Sequence, residues 1–400
     1  MRKKVILAVS VLVALLCVRL AVMAVTPVFE PSEARYAAIS ANMARTGDWL
    51  VPHFTYKGVY RPFSGKPPLV FQASALVCRV IGISPFAVRI PPFASFLVLL
   101  TALFICVKRL NGTKCAMAAV MVCSSSVAFY ATAGFCMTDV PLACCTAGAL
   151  LAYALFREKP SFIAPLLVGT FLGCGMLVKG PVTLAICGGA VLADAAVNSR
   201  WRTLFNVRWL LAIPVFLVIS VPWFALMHRE DPGFLRYFFI NENLLRFLVH
   251  NYGDRYGAGR ETFRGMAAIW AFVVALPWSL LPLKTLRGGW RNRSWIPHDF
   301  FLLSSLAVTL FWCLTSRVPL AYLLPAVPFF SVYAARRWKE DIVKYFPYAA
   351  TISAVLLIAI LLSAATFSDK LPGAGAKPKL SGSRYSYEFY HGPWGEGAPQ

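Results

Sequence analysis

Charge is scarce in this 400-residue chain. Only 14% of its residues are Asp, Glu, Lys or Arg, while 58% are hydrophobic. With a mean hydropathy of +0.65, the chain has too little polar surface to cover a soluble globule. Acids are the scarcest charge, 17 against 39 Lys and Arg, and histidine is rarer still. His53, His228, His250, His298 and His391 are scattered and show no spacing of the HExxH kind, so none is assigned to a metal. Eleven cysteines are present, but in no disulfide or zinc pattern. Cys17, Cys106, Cys144, Cys145 and Cys174 sit inside apolar runs and read as small buried hydrophobes. No internal period points to a repeat architecture.

What is present instead is a series of long apolar runs, each of a length that crosses a hydrocarbon core as helix. Helices are expected near 5–25, 88–107, 115–134, 138–156, 161–178, 181–198, 209–227, 264–283, 299–315, 317–334 and 346–366, which makes about eleven spans in an all-α polytopic membrane protein. The net charge of +22 belongs to short loops: Arg2-Lys3-Lys4, Lys108 to Lys114, Arg157 and Lys159, Arg200 to Arg208, Lys284 to Arg293, and Arg336 to Lys339. That is the positive-inside pattern of cytoplasmic loops, not a nucleic-acid footprint. The N-terminus is therefore expected in the cytoplasm. Glu30, Glu33, Asp48, Asp139, Glu230, Asp231, Glu242 and Asp254 fall in the alternate, outward loops. This parity requires Leu69 to Ile83, about 15 residues, to be a surface or re-entrant helix, since it is short for a span. The Pro67-Pro68 pair suits its first turn. A first outer loop thus covers 26–89, and the Gly-, Pro- and Ser-rich tail from 367 to 400 reads as a weakly ordered or partly docked outward extension. A cleaved signal peptide is the lesser reading of the N-terminal run, which is long and lacks a clear cleavage site.

Four outward acids and bases converge in this arrangement: Glu30 and Glu33 after the first span, Asp139 between the third and fourth, and Lys179 between the fifth and sixth. Buried charges at a membrane surface pair with each other, with a metal or with an ionic ligand. A phosphate ligand accounts for the mixed signs. Lys66, Lys179 and Arg246 are candidate phosphate binders, and an outward carboxylate is a candidate general base for an attacking hydroxyl or amine. The bland alternatives are an ion-pair network at the helix ends and, for Arg246, an i,i+4 pair with Glu242. Trp223 and Trp278 read as interfacial belt residues, and Arg19 and Asp194 as charges close enough to span ends to snorkel.

EARYAAISANMARTGDWLVP (33–52), GKPPL (65–69), MTDVP (137–141), VKGPV (178–182), FINENLLRFL (239–248), ALPW (275–278) and SRVPLAYLLPAVP (316–328) occur in this order. Together they resemble the bacterial membrane glycosyltransferases related to aminoarabinose-lipid A transferase and to the protein O-mannosyltransferases. The resemblance covers roughly residues 5–335 and implies a glycosyltransferase C fold, with juxtamembrane helices in the first outer loop and residues 1–366 as the transmembrane glycosyltransferase domain. It implies a polyprenyl-phosphate-linked sugar as donor, a lipid, glycan or protein as acceptor, and inverting transfer on the outer face of a bacterial inner membrane. Nucleic acid is not an expected partner.

Carried over residue by residue, the resemblance makes Lys66 and Arg246 phosphate binders and puts Tyr322 near the donor. It makes Glu33 the base, with Glu30 in reserve, because Ser32 stands where the family has an aspartate. Asp139 would orient the acceptor, position the loop or, if a divalent cation is used at all, hold it. Gly65 stands where several relatives carry a metal-binding glutamate, so no cofactor is assigned. Arg35 and Tyr36 are expected in the substrate pocket, ordering the loop. The competing class is a polytopic transporter or lipid flippase, against which stands the placement of these charges at span ends on one side.

Overall fold

A computed structural model describes residues 2–29, 31–56, 59–250, 252–253, 256, 261–282, 298–366 and 385–391. Glu30, Asp254 and the basic loop Lys284 to Arg293 lie outside the described residues. So does the tail, apart from 385–391.

The chain is almost entirely helical. α1 (Arg2–Val25) leads into α2 (Ser32–Thr46), a short hairpin (His53–Tyr56 antiparallel to Val59–Pro62), α3 (Leu69–Ile81) and α4 (Pro85–Asn111). Then come α5 (Thr113–Ser125), α6 (Asp139–Glu158), α7 (Ile163–Lys179), α8 (Val182–Val197) and α9 (Ala212–Glu230). α10 (Met266–Val274), α11 (Phe300–Cys313), α12 (Val327–Thr366) and α13 (Tyr385–His391) complete the described helices. Five helical stretches among the described residues are long and apolar enough to cross a membrane: 6–25, 85–111, 139–158, 201–230 and 320–359. The main core runs through α4, α5, α6, α11 and α12, and a second, smaller core joins α2 and α3 to Phe54, Phe63, Tyr385 and Phe389.

Leu69 to Ile83 forms the expected short helix. α3 has 13 residues, a length of about 20 Å at 1.5 Å per residue, too little for a hydrocarbon core of about 30 Å. Its Val70, Phe71, Ala75 and Cys78 face inward while Leu76, Val80 and Ile81 are exposed. Pro67 and Pro68 precede the first turn, with Pro68 as its cap.

Several expectations are corrected. The spans expected at 317–334 and 346–366 fall on a 3₁₀ turn at Leu320–Ala326 followed by two helices that join at a kink at Trp338. Helix continues through the basic residues Arg336 to Lys339, broken only by the non-helical backbone of Trp338. The span expected at 115–134 is interrupted at Ser126, whose backbone is extended. Trp278 and Trp223 belong to the interior and not to an interfacial belt. Trp278 donates its indole N–H to Ser125 Oγ at 3.0 Å, and Trp223 donates to the Leu50 carbonyl at 3.0 Å, so each polar tip finds its partner inside the fold. Arg19 and Asp194 do not snorkel either. Arg19 is buried, donating to the Ala131 carbonyl at 2.8 Å and lying over the Phe135 ring. Asp194 is wholly buried and receives Arg157 at 2.7 Å, Asn198 at 2.6 Å and the Tyr153 hydroxyl at 3.1 Å.

Candidate active site

A cavity of about 560 Å³ opens where the loop before α3, the α7–α8 junction, the segment after α9 and the turn before α12 meet. Lys66, Lys179, Arg246 and Tyr322, which are dispersed along the sequence, all line it. Glu242 and Arg317 line it too. Its remaining wall is apolar, including Phe239, Leu244, Phe247, Leu248, Phe311 and Trp312. Cations at one side of an apolar chamber form the combination that an amphiphile with an anionic head requires.

Each charged group is fixed by local structure. Residues 237–245 wind as a π-helix, a conformation common at functional sites, and this segment carries Glu242 with Arg246 at its end. The Glu242 carboxylate is buried and receives Lys66 Nζ at 2.5 Å and Arg246 Nη1 at 2.8 and 2.9 Å. Burial works to raise its pKa, but Lys66 and Arg246 outweigh burial and hold the carboxyl below its ordinary value. Lys66 Nζ also donates to the Gly65 carbonyl at 2.7 Å.

Lys179 ends α7 because Gly180, at φ +84°, adopts a left-handed backbone that stops the helix. The lysine is buried, donates to Asp139 at 2.6 Å and lies 3.8 Å from the centroid of the Tyr322 ring. Asp139 opens α6, where a carboxylate also suits the positive end of the helix. Arg317 is held by Glu261 at 2.8 Å and by the Tyr252 carbonyl at 2.5 Å. Its Nη2 has no partner among the described residues.

Glu33 does not line the cavity. Arg89 Nε and Nη2 donate to its two oxygens at 2.7 and 3.0 Å, and the backbone N–H groups of Phe29 and Cys136 donate at 2.9 and 3.1 Å. Arg89 is fully buried and spends its remaining donors on the Met23, Thr26 and Pro27 carbonyls and the Thr26 hydroxyl. The pair ties the end of α1 to α2, α4 and the turn before α6, outside the cavity lining. Arg89 was not singled out from sequence, although an arginine in the apolar run PFAVRIPPF (85–93) is a legible signal of an internal partner. Glu30 falls outside the described residues.

Arg35 and Tyr36 are not among the residues that line the cavity. Arg35 lies over the rings of Tyr36, Phe63 and Tyr385 at 5.4, 5.7 and 5.8 Å, so among the described residues it meets the loop through aromatic faces. Burial raises the Tyr36 phenol above its ordinary pKa, with Arg35 opposing. The short helix α13 docks against α2. Its wholly buried Glu388 accepts from Thr55 N–H at 2.8 and 2.9 Å, Thr55 Oγ1 at 3.1 Å and Asn42 Nδ2 at 2.6 Å.

The metal reading finds little support in the donor set. Among the described residues no three His, Cys, Asp or Glu side chains gather as a metal site, and Asp139 is engaged by Lys179. At Gly65 a side chain has no room, since a Cβ there would lie 2.9 Å from the Phe63 ring and 3.1 Å from Tyr256. No step is assigned to a metal.

Residues 65–225 match the family described as dolichyl-phosphate-mannose-protein mannosyltransferase. The chain is 29% identical over 309 residues to the undecaprenyl phosphate-alpha-4-amino-4-deoxy-L-arabinose arabinosyl transferase of Edwardsiella ictaluri, an alignment covering 74% of this chain and 53% of that protein. With the same transferase of Serratia proteamaculans it shares 27% identity over 361 residues, 86% of this chain and 62% of the relative. The chain therefore spans little more than half the length of these relatives. Among solved structures it is similar to ArnT from Cupriavidus metallidurans bound to undecaprenyl phosphate, with a TM-score of 0.71 at 21% identity, covering 97% of this chain and 75% of that one. It also resembles the oligosaccharyltransferase of Archaeoglobus fulgidus in the apo form, with a TM-score of 0.50 at 14% identity, covering 96% of this chain and 53% of that one. The fold is the one expected from the sequence.

Proposed function

We propose that this chain, a member of the polytopic membrane glycosyltransferases with the glycosyltransferase C fold, moves a sugar from a polyprenyl-phosphate donor to a lipid, glycan or protein acceptor with inversion. The observation that carries this reading is the meeting of Lys66, Lys179, Arg246 and Tyr322 in one apolar-walled cavity. The lipid tail lies along the apolar wall, and the phosphate sits at Lys66 and Arg246, with Lys179 close by. The cavity opens on the extracytoplasmic side of a bacterial inner membrane, with the N-terminus of the chain in the cytoplasm.

The acceptor attacks the anomeric carbon opposite the phosphate. As that bond forms, the bond from the anomeric carbon to the phosphate oxygen breaks and its electron pair stays on the departing phosphate. Cations already in place stabilise this growing charge without reorganising, and the fold's remaining contribution is alignment. The acceptor's proton is assigned to Asp139, whose partner Lys179 lines the cavity. Glu33 is assigned to holding the first outer loop against α4.

The test incubates purified protein with radiolabelled polyprenyl-phosphate sugar and candidate acceptors, comparing wild type with Lys66→Ala and Asp139→Asn. Lys66→Ala is expected to lower kcat/KM by about 100-fold, on the scale of removing one transition-state donor, and Asp139→Asn to lower kcat with little change in donor KM. Unchanged transfer by well-folded Lys66→Ala protein rejects the reading.

A further inference from the structure

The group that faces Lys66 and Arg246 is an acid, and its position has a consequence for which lipid the site retains. Glu242 is buried, with 6% of its surface exposed. It accepts Lys66 at 2.5 Å and Arg246 at 2.8 and 2.9 Å while lining the same cavity as both cations. Beyond those two, Lys179, Arg317 and Tyr322 line the same cavity, and the Tyr36 phenol on α2 feels the Glu242 charge. On the proposed reading, any phosphate held by Lys66 and Arg246 shares them with a carboxylate that is already there.

We infer that Glu242 is a charge-discriminating residue that offsets part of the pull of Lys66 and Arg246 on the doubly charged phosphomonoester left after transfer, narrowing its advantage over the singly charged phosphodiester of the sugar donor and so easing release of the spent lipid. This inference rests on the phosphate seat proposed above. A sugar-linked polyprenyl phosphate is a diester with one negative charge. Cleavage at the sugar leaves the electron pair on phosphate oxygen, giving a monoester whose second ionisation lies near pH 6, while the acceptor's proton is lost separately. Repulsion scales with the product of the charges, so an ionised Glu242 opposes the dianion about twice as strongly as the monoanion. It does so at short range in a buried site. Protonation of Glu242 would relax this, which couples monoester retention to proton uptake. Lys66 and Arg246 keep the empty site's carboxyl ionised, so the repulsion is present at neutral pH.

The alternative is a structural carboxylate that merely steadies the two cations, and the two roles predict opposite signs. The probes are a polyprenyl monophosphate and its methyl phosphodiester, bound to full-length protein in detergent micelles from pH 5.5 to 8. For wild type, the monoester is expected to gain less than about tenfold in affinity relative to the diester as pH rises through its second ionisation, because Glu242 offsets one of the two cations. Glu242→Gln is expected to bind the monoester about tenfold more tightly at pH 8, to steepen that pH dependence, and to show a lower inhibition constant for the monoester in transfer assays. Looser monoester binding by Glu242→Gln, or a gain in wild type well above tenfold for the monoester over the diester as pH rises, overturns the inference. The wild-type comparison stands even if the variant does not fold. If wild type binds neither lipid, or if Lys66→Ala binds both as well as wild type, the phosphate seat itself is wrong, an outcome distinct from failure of the discrimination.

Discussion

Replacing Glu33 by alanine tests whether this carboxylate is chemistry or architecture. The change removes both partners of the Arg89 Nε and Nη2 hydrogen bonds and the acceptor for two backbone amides. Stripping one member from a buried ion pair costs about 3–5 kcal/mol, because the other charge is left unpaired. Arg89 keeps four oxygen acceptors from 23–27, which argues for the low end, about 3 kcal/mol. The orphaned amides of Phe29 and Cys136 add about 1 kcal/mol each, for a total of about 5 kcal/mol. The assay is thermal unfolding of detergent-solubilised protein, followed by the fraction that remains monodisperse on size exclusion. A large fall in the midpoint is expected for Glu33→Ala and a smaller one for Glu33→Gln. The double change Glu33→Gln with Arg89→Met is expected to be less harmful than the sum of the singles, by a coupling of about 1–3 kcal/mol. A Glu33→Ala protein that melts like wild type but transfers no sugar would refute this reasoning and return Glu33 to the role of base.

Gly180→Ala should cost about 1–2 kcal/mol from its left-handed backbone alone. It should cost more in practice, because the new Cβ would lie 2.7 Å from the Phe238 ring on the segment that carries Glu242. The expected readout is a lowered melting midpoint together with weaker donor binding, since the same turn sets Lys179. Docking of α13 should depend on pH. Burial is the largest influence on Glu388 and raises its carboxyl above the ordinary value, despite the opposing hydrogen bonds from Thr55 and Asn42. The folded state therefore holds its proton more tightly than the free tail does, so this contribution is present below the ordinary carboxylate pKa and is lost as pH rises through the raised one. Amide protection at 385–391, corrected for the intrinsic pH dependence of exchange, is expected to fall across that window in wild type and to stay flat for Glu388→Gln.

The sequence carried the class of the fold because hydrophobic runs and loop charges are local signals, and α3 was legible because 13 residues cannot reach across a bilayer core. Lys66, Lys179, Arg246 and Tyr322 were legible through short motifs, and their meeting in one cavity gives those motifs a common purpose. Partner choice was not legible. Glu33 and Arg89 are 56 positions apart, and nothing near either residue states that the two meet. A carboxylate with a base's motif and a carboxylate with a clasp's partners look alike until the partners are known. The same limit applies in reverse to Glu242. Its spacing to Arg246 suggested an ordinary surface pair on one helix, yet the carboxylate is buried and also receives Lys66 from 176 positions away. A surface i,i+4 pair contributes a few tenths of a kcal/mol to a helix. A buried carboxylate bridging two cations on the wall of a cavity instead sets how much negative charge that cavity accepts. What changes the residue's meaning is the third partner, and only the folded chain supplies it.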